Sequence, residues 1–227
     1  APIEVEFRLP RGVELSVPWT RLESPEGSGQ RFRYDSDVFD AGTYLALGQL
    51  RRLGELKLGG GVVSVTRLTG ASAVTDAGLL RWLSRALGPI VQFYGELPGE
   101  RVHVILVPVD SSTPGVFGTV LRRGPPSVVM LFGTRAPEQS FEGEWVASHE
   151  LFHLGNPRLD ERLPWFIEGM TSYYQDVLRA RGGLRPAQVM WEDLLESCRQ
   201  FGDPQGGYSL ERESRELRRR HEYQRVY

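Results

Sequence analysis

Cysteine is nearly missing from this chain: Cys198 is the single one in 227 residues. A lone thiol excludes an internal disulfide framework and leaves the redox compartment open. Long apolar runs are missing as well. No stretch approaches the roughly 18 to 20 residues that a membrane-spanning helix needs, so no transmembrane segment is expected. A basic excess is also lacking, because 27 Lys and Arg face 29 Asp and Glu for a net charge of −2. Nucleic acid and anionic membrane surfaces select the opposite balance, since binding there rests on displaced counterions, and neither is an expected partner. Gly59-Gly60-Gly61 has no Gly-Lys-Ser/Thr continuation, which makes it a hairpin turn rather than a phosphate cradle. Internal repeats and low-complexity tracts are absent. Histidine is scarce, with four in the chain, so the positions of those four carry information.

What remains is an ordinary globular composition, 40% hydrophobic and 25% charged, with enough chain for a sizeable core. Residues 3–9 alternate apolar and charged with period two, the mark of a half-buried strand. Short strands are expected at 13–17, 31–34, 44–47, 55–58 and 62–67, separated by turn residues. Behind Thr75-Asp76 the spacing changes to helical, with Leu79, Leu80, Trp82, Leu83, Ala86, Leu87 and Ile90 on one side and Pro89 placed to kink or interrupt it. A buried strand at 101–109 follows, then a hairpin of 115–121 and 127–132. Its His103 reads as a hydrogen-bonded core residue rather than a ligand. Helices are expected from about 141 to 154, where Gly155-Asn156-Pro157 stops the first, and over 164–181 and 186–201. The densely charged end has Glu211 and Arg215, and Glu216 and Arg220, at i,i+4 spacing, the usual look of a solvated helix face. The pattern predicts an α+β chain with a β-rich, sandwich-like N-terminal domain over 1–72 and a mixed domain of sheet and helices over 73–227.

The stretch His149-Glu150-Leu151-Phe152-His153 carries the chemistry. On a helix, histidines four apart share one face about a turn apart and can hold one zinc ion. A catalytic zinc takes about three protein ligands and keeps the last position for water, so a third ligand is required. The position six residues past His153 is Leu159, which excludes the three-histidine pattern, and the remaining later histidine is His221. Asp160 and Glu161 lie in the connecting loop. Glu168 is the preferred ligand, because a helix after that loop can set its first turns against the histidine helix. Two imidazole nitrogens and a carboxylate oxygen suit Zn²⁺, which lowers the pKa of bound water towards about 7. Glu150, beside the first ligand, is positioned as general base.

These residues also carry a resemblance. The segment from His149 to Leu154, followed by Trp165-Phe166-Ile167-Glu168-Gly169-Met170-Thr171-Ser172-Tyr173-Tyr174, resembles the gluzincin metallopeptidases, most of all the glycyl aminopeptidase family. The resemblance implies a thermolysin-like catalytic domain, zinc on His149, His153 and Glu168, Glu150 as base, and a peptide or protein substrate. It further implies that substrate lies along an edge strand, which here reads Gly115-Val116-Phe117-Gly118-Thr119 without that family's glutamate. Gly115, Phe117 and Gly118 are the expected substrate contacts, and cleavage within peptides stands beside aminopeptidase action. Relatives also place an oxyanion-stabilising tyrosine in a helix beyond the third ligand. Tyr227 is the residue expected there, ahead of Tyr223 and Tyr208, and the pattern would continue past it, as in a piece of a longer protein. An inactive peptidase-like domain that binds peptides or partner domains is the alternative, although Glu150 would have no use in it. Ala1-Pro2-Ile3 fits the mature side of a signal-peptide cut, which favours a periplasmic or secreted setting, and a trimmed chain would look the same. Oligomeric state has no sequence signal.

Overall fold

The computed structural model describes residues 2–25, 29–34, 42–157, 159 and 163–201. The N-terminal strands are β1 (Ile3–Phe7), β2 (Glu14–Ser16), β3 (Thr20–Arg21), β4 (Gln30–Tyr34) and β5 (Ala46–Gly48). Strands β1, β4 and β3 form a small antiparallel sheet, and β2 pairs with β5. Alternation in β1 and β4 turns Phe7, Phe32 and Tyr34 to one side, where Phe7 and Tyr34 flank the Trp19 ring. The next two strands, β6 (Leu50–Leu58) and β7 (Gly61–Leu68), form the hairpin, and its turn sits at Gly59 and Gly60 with φ of 56° and 74°. Only glycine takes those angles without strain, which explains the triple-glycine signal.

Helix α1 (Asp76–Tyr94) begins where expected: the Thr75 hydroxyl accepts from the Gly78 N–H at 3.0 Å, and Gly95 closes the helix at φ 83°. Pro89 lies inside this helix without ending it. The fully buried Leu83, Leu87 and Ile90 pin both sides of the proline to the sheet, so packing outweighs the lost backbone hydrogen bond. Strands β8 (Arg101–Val109), β9 (Gly115–Leu121) and β10 (Ser127–Gly133) complete a five-stranded mixed sheet in the order β6-β7-β8-β10-β9. Parallel pairs join β7 to β8 and β8 to β10, while β10 and β9 are antiparallel. The expected division between residues 72 and 73 falls inside this unit, since β7 pairs with β8 from Val62↔Arg101 to Arg67↔Leu106. The reason is topological: α1 is the crossover between two parallel strands, and the hairpin supplies the first of them.

Val63, Val65, Val104, Leu106, Val128, Met130 and Phe132 turn one face of the sheet towards α1 and the helices that follow. The opposite face carries a smaller cluster around Ala46, Leu50 and Ile105. His103 lies on that second face, 3% exposed, with Nδ1 3.0 Å from Ser64 Oγ and Nε2 3.2 Å from Ser16 Oγ. It ties β2 to the sheet as a core histidine, and burial, helped by the Arg52 charge, pushes its pKa down to about 4. In the unfolded chain it would titrate near 6.5. Between those values the unfolded state binds more protons, so stability held above pH 6.5 is lost as pH falls towards 4. The loss amounts to about 3 kcal/mol. Urea unfolding at pH 7 and pH 4.5 should show a clearly smaller stability difference for His103→Gln than for wild type; equal differences would refute this assignment.

Candidate metal centre

Helix α2 (Val146–Phe152) is shorter than the 141–154 helix that the apolar spacing predicts, and His153 stands in a 3-10 turn, His153–Gly155, that continues it. Both ends have local causes. The Glu144 carboxylate, just ahead of the helix, accepts from the N–H groups of Val146 at 2.7 Å and Ala147 at 3.3 Å and from Trp82 Nε1 at 3.1 Å. These bonds satisfy first-turn donors and fix where the helix starts. At the other end Asn156 is extended, as the residue before Pro157 must be. Gly155 packs flat on Tyr94, where a Cβ would lie 2.8 Å from ring atom Cε1. All seven residues of α2 are buried, including His149 and Glu150.

Helix α3 (Pro164–Arg181) starts with proline in its first turn and packs against α2. The two helices bring His149 Nε2, His153 Nε2 and Glu168 Oε2 together at 3.2 Å on all three sides. Tetrahedral zinc with bonds of about 2.0–2.1 Å holds its ligand atoms about 3.3 Å apart, so this donor set and spacing fit that ion. The far side of each imidazole is also fixed. His149 Nδ1 donates to Gln175 Oε1 at 2.7 Å, leaving the Nε2 lone pair directed at the other two donors. His153 Nδ1 lies 3.3 Å from Thr171 Oγ1 and 3.1 Å from the Asn156 carboxamide. Thr171 in turn donates to Ile167 O at 2.8 Å, which leaves its oxygen lone pairs for the imidazole and for Asn156 Nδ2 at 2.7 Å.

The protein alone already polarises the site. Burial raises the Glu168 carboxyl, but hydrogen bonds from His149 and His153 and their charges outweigh it and bring the pKa down to about 2. Burial opposes charge on both imidazoles. At His149 the Glu168 hydrogen bond and the nearby carboxylates reverse the effect and raise the pKa, whereas His153, facing also His149 and Arg122, stays lowered. Burial pushes Glu150 up to about 7, with the Glu168 charge adding to the rise and His149 opposing it. A carboxyl poised near neutrality can take a proton and return it.

These groups line a cleft of about 840 Å³ between β9 on one wall and α2 and α3 on the other. Of the expected substrate contacts, Phe117 and Gly118 line it. Gly115 does not; it is buried beside Glu144, where a Cβ would fall 2.7 Å from a carboxylate oxygen. Asp160, Glu161, Tyr208, His221, Tyr223 and Tyr227 lie outside the described residues. Sequence reasoning missed the groups that orient the imidazoles, although Thr171 and Gln175 stand three and seven positions past Glu168 on one helix face, a readable spacing. It also missed Trp145, half exposed at the cleft with its ring edge-on to His149 at 5.7 Å, and the charged group Asp176, Arg179 and Arg185. Those depend on how loops and helices meet.

The architecture is shared with M1-type zinc metallopeptidases. An aminopeptidase N family protein from Idiomarina loihiensis superposes with a TM-score of 0.62 at 20% identity, over 83% of this chain and 35% of that one. The M1 zinc metallopeptidase of Deinococcus radiodurans, solved as a point mutant, gives 0.51 at 16% identity over 87% of this chain and 44% of its own. Yeast LTA4 hydrolase in complex with bestatin gives 0.52 at 17% identity over 92% and 32%. The chain thus spans less than half of the length of these structures. In sequence, residues 156–225 match the family model of the M61 glycyl aminopeptidases, a segment that contains Glu168. Among curated proteins none matches. The fold is thus similar to that of these structures, and the family likeness in sequence falls in the C-terminal third of the chain.

Proposed function

We propose that the chain is the core of a zinc-dependent peptidase with a thermolysin-like arrangement, in which His149, His153 and Glu168 hold the ion and Glu150 is the general base. The observation that carries this reading is the convergence of three donor atoms at 3.2 Å beside a buried carboxyl, in a cleft flanked by an edge strand. When bound, zinc would supply a Lewis acid and an acidified water. Gln175 and Thr171 keep the imidazole lone pairs aimed at the ion. Glu150 takes a proton from the attacking water and delivers it to the leaving amine. Strand β9 ends the sheet, so its outer backbone groups can pair with an extended peptide, with Phe117 and Gly118 alongside. Trp145 helps exclude water next to His149. A peptide or protein is the substrate, and we place the start of the catalytic unit before β6 rather than at residue 73.

Metal analysis tests this directly. The full-length protein should contain about one zinc per chain, lose peptide hydrolysis on chelation and regain it with zinc. Protein that binds no zinc, or hydrolysis indifferent to chelator, would overturn the reading. Metal binding without hydrolysis of any peptide would favour a peptide-binding domain instead.

A further inference from the structure

One end of the cleft carries a pair of arginines. Arg179 and Arg185 line it together with Asp176, so two of the three charged side chains there are positive. Arg179 is 7% exposed and donates from Nη1 to Asp176 Oδ1 at 2.8 Å and from Nη2 to the Gly143 carbonyl, and its Nε has no partner among the described residues. Arg185 reaches the same carboxylate oxygen at 3.4 Å and also bonds Asp193, whose carboxylate is exposed and does not line the cleft. Asp176 therefore fixes both guanidinium groups, and Asp193, 56% exposed, supplies the second counter-charge from outside the cleft. Burying the Arg179 guanidinium costs desolvation, and peptide hydrolysis itself makes no use of it.

Its position says which part of a substrate would meet it. Arg179 bonds Gly143, next to Glu144, and Glu144 sits against Gly115 at the beginning of β9. A peptide added antiparallel to β9 runs the opposite way, so its C-terminal half lies at this end. In a parallel peptide the N-terminal half, with its ammonium group, would face the arginines and be repelled. Asp176 and Arg179 stand eight and eleven positions past Glu168 on α3. At about 1.5 Å per helical residue and about 3.3 Å per extended residue, that is roughly three to five substrate residues beyond the metal.

We propose that Arg179 and Arg185 form a carboxylate subsite for the C-terminal side of the peptide, a specificity element that rests on the peptidase reading above. The anion is either the free C-terminus of a short peptide or an acidic side chain at the matching position of a longer one. Guanidinium groups suit both, because their planar donors pair bidentately with a carboxylate.

The test uses the full-length protein and peptides with one to six residues after the cleaved bond. Each is made with a free C-terminal carboxylate, as the amide, and as the amide carrying Asp or Glu three to five residues on. We expect KM about tenfold lower for the carboxylate form than for its amide at the matching length, the size of one charge-assisted contact. Arg185→Gln should bring that ratio to about one, while Arg185→Lys keeps part of it. Acidic side chains restoring the preference in amides would identify the longer substrates, and failure to do so would identify the free C-terminus. Equal KM for all forms would overturn the proposal. Calorimetry with the same peptides on the uncleaving Glu150→Gln protein separates the two readings: carboxylate-dependent binding with no hydrolysis by wild type leaves the subsite standing and removes the peptidase, whereas hydrolysis with carboxylate-independent binding does the reverse.

Discussion

Replacing Glu150 by glutamine should lower kcat for peptide hydrolysis by about 10²- to 10⁴-fold, the usual worth of a positioned general base. Zinc content should stay at its wild-type level. Both parts follow from the geometry: the three converging donors belong to His149, His153 and Glu168, so Glu150 lines the cleft without being needed as a ligand. Glutamine keeps the shape and buried volume of the side chain and removes its ability to accept a proton. Burial holds the Glu150 carboxyl near 7 in the metal-free site. Parallel metal analysis and kinetics read the result. Activity within a few-fold of wild type would mean that another group takes the proton, and loss of zinc would mean that Glu150 shapes the metal site instead.

Alanine at Gly118 is expected to cost about 10- to 100-fold in kcat/KM while zinc is retained. The added Cβ would lie inside van der Waals contact of Glu150 Cγ, 2.7 Å from Cδ and 2.9 Å from Oε1. Gly118 is not among the residues with positive φ, so alanine meets no backbone strain there and the effect is one of volume. The nearest atoms belong to the proposed base itself. Glu150 must turn away or the strand must shift, and a displacement of about 1 Å at a reacting group is enough to account for such a loss. A crystal structure of the variant with Glu150 unmoved, or wild-type kinetics, would rule the steric account out. The room that glycine leaves on β9 is thus taken by Glu150.

Much of this architecture is written in local sequence. Strand β8 alternates Val102, Val104 and Leu106 against His103, Ile105 and Val107, and the structure places the two sets on opposite faces. The start of helix α1 at Thr75 was legible because capping and apolar spacing agree. The meeting of His149, His153 and Glu168 was legible for the same reason: four-residue spacing on one helix and a short loop to the next leave few arrangements. The start of α2 was not, because its cap is the side chain of Glu144 held by Trp82 from another helix, and apolar spacing continues through the break. The sheet to which the β6–β7 hairpin belongs was not legible, because the hairpin looks like its N-terminal neighbours and only pairing with β8, across α1, assigns it to the larger sheet. Strand pairing over that separation leaves no trace in a single window of sequence.

The shortness of α2 reaches beyond catalysis. A seven-residue helix is well below the length at which an isolated helix holds together in water. His149 and His153 are therefore not a preformed chelator to which the rest of the chain was added. They meet Glu168 only after the sheet, α1 and α3 have closed around them, so an unfolded chain has no site to offer. Any ion captured there is captured by the folded molecule, and its binding energy is added to the global free energy of folding. A metal bound there would act as a ligand-dependent clamp on the whole unit, and its supply would set how much of the chain survives unfolding conditions.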